Sequence, residues 1–240
     1  MGGGNIRGAG LALAAFALFS SHDVVVKYLG GHYSPVQIVF FSVLLGFPLV
    51  SLMLMRDRTD GNLLPSHPWW TALRTAATVI TGLSVFYAFS VLPLAQTYAI
   101  LFAAPLLITV LAIPILGETV RLRRGLAVLA GLVGVLIVLR PGQTDLGLGH
   151  LAALTAAVCG ALASIIVRKI GQNERSVVLL IYPMMANFIL MGCLLPFVYR
   201  PMPMIDLGAL GVIALLAFVA TLLVILAYRS GEAVIIAPMQ

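Results

Sequence analysis

The segments VVVKYLG (Val24–Gly30) and IIVRKIG (Ile165–Gly171) align without a gap at an offset of 141 residues. Each closes a long apolar run, and five helical runs separate the two copies. An odd number of crossings sets the second copy upside down relative to the first. This parity predicts an all-α integral membrane protein made of inverted repeats, in which two halves can rock about a site near the membrane midplane.

About 20 consecutive apolar residues cross a bilayer as a helix. Runs of that kind occur at Gly8–Leu29, Pro35–Met55, Trp69–Val91, Ala95–Leu116, Gly125–Leu139, Gly149–Val167, Val177–Val198 and Leu207–Tyr228. A ninth apolar stretch starts at Ala233 and stops at Gln240. As helix it rises only about 12 Å, so the expected arrangement is eight helices and a truncated ninth. The first run continues through Val26, beyond the ~7–15 apolar residues of a signal-peptide core, and reads as a retained span.

Lys and Arg near span ends are retained on the cytoplasmic side. With the N-terminus cytoplasmic, Arg7, Arg56, Arg58, Arg74, Arg121, Arg123, Arg124, Arg168, Lys169, Arg175 and Arg229 lie inside, and only Lys27, Arg140 and Arg200 lie outside. The formal charge of +6 is therefore a topology signal. It does not point to nucleic acid, because the basic residues are not interleaved with stacking aromatics. With 61% hydrophobic and 9% charged residues, a water-soluble domain is excluded. Cys159 and Cys193 sit singly in separate apolar runs and read as packing thiols, with no disulfide or zinc site.

The stretch LPLAQTYAI (Leu92–Ile100), then Pro105, Gly117-Glu118, Arg124-Gly125 and Gly134 to Pro141-Gly142 resembles the end of the first repeat of the drug/metabolite transporter superfamily, EamA type. FALFSSHD (Phe16–Asp23), Lys27 and SPVQI (Ser34–Ile38) resemble its branch of S-adenosylmethionine or amino-acid carriers. AYRSGEA (Ala227–Ala233) and APMQ (Ala237–Gln240) look like the entry to the ninth helix of a ten-helix fold. The resemblance implies inverted five-helix repeats, the first at residues 1–142 and the second at 149–240, with helices 9 and 10 missing. It also implies a multi-pass protein of the bacterial inner membrane. One departure is Ser42, after Phe40-Phe41, where the family commonly has an arginine; this weakens the carry-over of an anion contact in that helix.

Asp23 and Lys27, four apart on one helix face, can pair, and charges within spans usually face protein or a wet cavity. Asp23 is the candidate for proton coupling, with a neutralised structural pair as the alternative; Lys27 can also snorkel outward. His22 points about 100° away from Asp23 on an ideal helix, so it reads as a pocket residue and not as a catalytic partner. Helix directions bring Asp23, Lys27, Tyr87, Gln96 and Tyr98 to one outer depth, a candidate vestibule, although interfacial anchoring explains the last three as well. Asn187 lies near the middle of span 7 and Tyr182 in its inner part beside Pro183, which frees a backbone carbonyl; a transport pathway would use such groups, although interhelical packing explains them as well. Pro105 and Pro114 are expected to interrupt span 4 and offer backbone partners or a hinge. Ala130 and Gly134 suggest close helix packing. Arg74 is expected to snorkel to the cytoplasmic surface, next to an aromatic belt of Trp69 and Trp70. Glu118 is expected to pair with Arg121 and Arg124 as a structural or gating contact.

The chain carries no G-x-x-x-x-G-K-[ST] loop, which argues against nucleotide hydrolysis. What remains is secondary transport of a small metabolite by alternating access, with an amino acid or an S-adenosylmethionine-like molecule as the implied substrate. No cofactor is expected. Expected partners are the lipid bilayer, the metabolite and a coupling proton or ion; a homodimer is one of the oligomeric states left open. A membrane-embedded enzyme acting on lipid would need His, Asp or Glu clustered at one interface, whereas they are scattered here. A non-transporting fragment serving as an assembly partner is the third reading.

Overall fold

The computed structural model describes residues 3–56, 63–118, 125–126, 130–131, 133–134, 137, 147–231 and 236. Its helices are α1 (Gly3–Gly30), α2 (Pro35–Arg56), α3 (Pro68–Val91), α4 (Leu94–Leu101), α5 (Ala103–Leu116), α6 (Leu148–Ile170), α7 (Ser176–Val198) and α8 (Met204–Ser230). Among the described residues, seven helices are long and apolar enough to cross a membrane, with α4 and α5 sharing the span Leu94–Leu116. Most of the expected fifth span, Arg121, Arg124 and nearly all of the ninth stretch lie outside the described residues.

The observed helices overrun the apolar runs by a few residues, because backbone hydrogen bonding continues where side chains turn polar. Thus α6 runs through Arg168 and Lys169 to Ile170, whose long stems stay in the apolar layer while their charges reach the ends of neighbouring helices. Large apolar side chains such as Leu13, Val110, Ile113, Leu154 and Ile189 are exposed on the outside of the bundle. A soluble domain would bury such a shell; a bilayer solvates it.

The proline effects in span 4 differ from expectation. The break falls at Phe102, between α4 and α5, while Pro114 lies inside an unbroken α5. Pro105 causes this at a distance, since it has no N–H for the carbonyl of Leu101 four residues back and its ring crowds that turn. At the far end Gly117 adopts φ of 70°. Its N–H reaches the carbonyl of Ile113 and that of Glu118 reaches Ala112, a left-handed cap that stops α5.

Helix directions follow from end contacts. Lys27 at the end of α1 donates to carbonyls at the end of α3, and an added Cβ on Gly149, at the start of α6, would lie 2.6 Å from Val91 at that same end. Therefore α1 ends where α6 begins, and the two helices run in opposite directions. We call this the Lys27 end and the opposite one the Arg229 end.

Residues related by the offset of 141 make corresponding contacts at opposite ends. Gly8 in α1 lies close to the Ala227 carbonyl of α8, as Gly149 in α6 lies close to Val91 of α3. Lys27 of α1 donates to Phe89 and Leu92 carbonyls at the end of α3, and Arg168 of α6 donates to the Tyr228 carbonyl near the end of α8. The two most extensive helix pairings, α1 with α8 and α3 with α6, exchange under the same mapping. Carbonyls in the last turn of a helix have no partner of their own, and the negative end of the helix dipole favours a cation there.

Ala130 and Gly134 do not pack as expected. Both are exposed, and an added Cβ on Gly134 would meet nothing within 4 Å. The close approach is at Gly131, whose added Cβ would sit 2.8 Å from Leu106, one position round the helix. Cys193 is exposed and Cys159 is half-buried, and both are free; the packing role expected of Cys193 is not realised.

Candidate functional site

A cavity of about 650 Å³ lies between the spans and is walled by residues of all eight helices. It gathers His22, Asp23, Arg74, Tyr98, Pro105 and Asn187 from the sequence candidates. It does not include Lys27, Tyr87, Gln96 or Tyr182.

One pole is built on Asp23. Tyr98 donates its hydroxyl to Asp23 Oδ2 at 2.6 Å, and His22 Nδ1 lies 2.8 Å from Asp23 Oδ1. The helical angle between neighbours suggested that His22 faces away, but a rotated imidazole reaches back over the short aspartate. Phe19 and Phe86 meet the His22 ring edge-on, and Phe102 stacks on Tyr98. The carboxylate therefore sits among aromatic rings, facing the cavity.

The expected Asp23–Lys27 pair does not form. Lys27 Nζ instead donates to the carbonyls of Phe89 at 2.6 Å and Leu92 at 2.8 Å. Two orphan carbonyls at a helix end outcompete one carboxylate that already has other partners. The vestibule also comes apart. Gln96 meets His150 at 2.8 Å, joining α4 to α6, and Tyr87 is 37% exposed away from the cavity.

The other pole is built on Arg74. It does not snorkel to the surface: it is only 5% exposed, lines the cavity, and donates through Nη1 to the Leu179 carbonyl. That carbonyl is free because Pro183, four residues on, has no N–H to offer it. Arg74 Nε, Asn187 Oδ1, Ser42 Oγ and Thr78 Oγ1 are buried without a hydrogen-bond partner, and all four residues line the cavity. Tyr182 turns outward and donates to the Leu63 carbonyl at 3.2 Å.

Sequence reasoning did not single out Thr78, Thr81, Val85 or Phe86. The signal was present, since Arg74, Thr78, Thr81, Gly82 and Val85 all line the cavity and recur at helical spacing along one stripe of α3.

Both ends of the bundle are tied across helices. At the Lys27 end, Tyr33 donates to Asp206 at 2.6 Å, and this bond holds the phenol protonated above its ordinary range. Gln37 there pairs doubly with the backbone of Arg200, at 2.6 and 2.9 Å. At the Arg229 end, Arg229 donates to Ser176 at 2.7 Å and Lys169 to the Ile115 carbonyl at 2.8 Å. Lys169 also lies 4.6 Å above the Trp70 ring, while Trp69 is exposed. Glu118 faces Arg168 at 3.8 Å; its expected partners Arg121 and Arg124 lie outside the described residues.

The EamA-like transporter family model matches residues 6–140. The chain belongs to this family. Two curated relatives called S-adenosylmethionine uptake transporter are similar to it. The one from Rickettsia bellii is 28% identical over 175 residues, 73% of this chain and 60% of the relative. The one from Rickettsia felis is 25% identical over 177 residues, 74% of this chain and 60% of the relative. The chain's matches thus span about 60% of the length of these relatives. A crystal structure of another protein, 18% identical, superposes with a TM-score of 0.74 over 98% of this chain and 82% of its own. This EamA-like chain thus has an all-helical integral membrane transporter fold.

Proposed function

We propose that the full-length protein is a secondary carrier of a small metabolite, of amino-acid or S-adenosylmethionine-like type, working by alternating access between two inverted halves. The carrying observation is the cavity of about 650 Å³ lined by the spans, with a carboxylate at one pole and a guanidinium at the other. Its volume is in the range of small-molecule sites, and its charges are of the kind that mark substrate or proton pathways inside membranes. The corresponding contacts of Gly8 with Gly149 and of Lys27 with Arg168 support the two-halves reading. So does the antiparallel course of α1 and α6. The halves are residues 1–142 and 149–240.

The N-terminus is cytoplasmic in this reading, and the membrane is the bacterial inner membrane. In support, Arg7, Arg168, Lys169, Arg175 and Arg229 gather at one end of the bundle, against Lys27 and Arg200 at the other. Asp23 is the proposed proton-coupling residue, because its carboxylate faces the cavity and has no cation among its hydrogen-bond partners other than a protonatable histidine.

Flux of labelled S-adenosylmethionine and amino acids into proteoliposomes holding the full-length protein tests the proposal. Saturable, counterflow-competent uptake of at least one is expected; no saturable flux of any would overturn it.

A further inference from the structure

We infer that Arg74 is the carboxylate-binding residue of the cavity and fixes the direction in which a substrate lies. The inference rests on reading the cavity as a transport site and names the chemistry of one of its poles.

A guanidinium has five N–H donors in a planar fork. Arg74 gives Nη1 to the Leu179 carbonyl, and its Nε is buried with no partner. No carboxylate among the described residues lies within 4.0 Å of it. Burying such a charge inside a membrane protein is costly unless something compensates it. The same cavity is lined by further unsatisfied groups: Thr78 Oγ1, one helical turn along α3 from Arg74, and, nearer the Lys27 end, Ser42 Oγ and Asn187 Oδ1, at a residue 9% exposed. One acid or amide acceptor would satisfy a few of these. A carboxylate bonded to the guanidinium and to Thr78, with an amino group on the side of the Lys27 end to donate to Asn187 Oδ1, satisfies the buried charge and the amide together. That pair of groups is the head of an α-amino acid.

The spacing along α3 sets what lies beyond the head. His22, bonded to Asp23, packs on Phe86, twelve residues after Arg74 on the same helix. Those levels are about 18 Å apart. The two poles are therefore too distant to hold the ammonium and carboxylate of one small amino acid. The geometry fits an elongated molecule with its amino-acid head at Arg74 and a flat or cationic remainder among the rings around Asp23, where the carboxylate and aromatic faces both attract positive charge.

The test measures binding to the full-length protein in detergent, by scintillation proximity or calorimetry, for acids paired with their decarboxylated amines. The pairs are S-adenosylmethionine with decarboxylated S-adenosylmethionine, tryptophan with tryptamine, and leucine with isoamylamine. The wild-type protein should prefer an acid over its amine by about 10- to 100-fold, the size of a charge-assisted contact. Arg74→Gln should weaken the acid and leave the amine near its wild-type affinity, removing the preference, and Arg74→Lys should restore part of it. Preference for some other acid with no binding of S-adenosylmethionine leaves the Arg74 assignment standing and removes only that substrate. Equal binding of acids and amines by the wild-type protein, or binding of no acid, overturns the assignment even if the variants fail to fold. An equal loss of acid and amine in a folded Arg74→Gln protein overturns it too, since that is the signature of a purely structural arginine.

Discussion

Replacing Lys27 by methionine keeps the apolar stem and deletes the charge, so it isolates the two bonds that tie α1 to the end of α3. Their lengths, 2.6 Å to Phe89 and 2.8 Å to Leu92, fall at the short, charge-assisted end of the range. At about 1.5 kcal/mol each the loss is about 3 kcal/mol, and releasing a half-buried ammonium from its desolvation returns about 1 kcal/mol. The expected net cost is about 2 kcal/mol. For a chain of this size that lowers the melting temperature by about 4–8 °C. The residue related to it by the offset of 141 provides the internal control. Arg168 makes one contact of 3.5 Å to Tyr228 and an ion pair of 3.8 Å to Glu118, so Arg168→Met should cost less than about 1 kcal/mol. Thermal unfolding of the purified full-length protein in detergent, followed by size-exclusion fluorescence, measures both. A Lys27→Met protein as stable as wild type, or more stable than Arg168→Met, would refute the capping argument.

Asp23→Asn should abolish accumulation driven by a pH gradient while counterflow exchange continues in proteoliposomes; unchanged accumulation removes Asp23 from coupling. Gly149→Val should lower stability by about 1–3 kcal/mol through overpacking, because its added Cβ would already lie 2.6 Å from Val91. Gly134→Ala, with open space around it, should be neutral or slightly stabilising in the same melting assay. In a cysteine-free background, His32→Cys should react with an impermeant maleimide in intact cells and His67→Cys only after permeabilisation; the reverse pattern inverts the proposed orientation.

Most of the span boundaries were legible because hydrophobic length alone decides them in a bilayer. The opposite courses of α1 and α6 followed from counting runs. Side-chain partners were harder to read. The i,i+4 spacing of Asp23 and Lys27 said that they could meet, yet the choice between a carboxylate and two free carbonyls depended on where α3 ended relative to α1. Arg74 looked like a surface arginine, since it lies one turn and a half inside α3. Its burial follows from packing against α7, where Pro183 leaves a carbonyl available. Each half of that contact was visible in the sequence, but the juxtaposition of residues 74 and 179 depends on tertiary structure. Tyr98 meeting Asp23 was anticipated in depth, whereas Gln96 bonding to His150 required the start of α6 to lie beside α4.

The cations that close the ends of α3 and α8 act as rivets on diagonally opposed corners of the bundle. Each fastens one pair of helices, α1 with α3 and α6 with α8, at a single end. A rearrangement that opened the Lys27 end of the molecule would therefore work against the tighter of the two fastenings, and one that opened the Arg229 end against the looser.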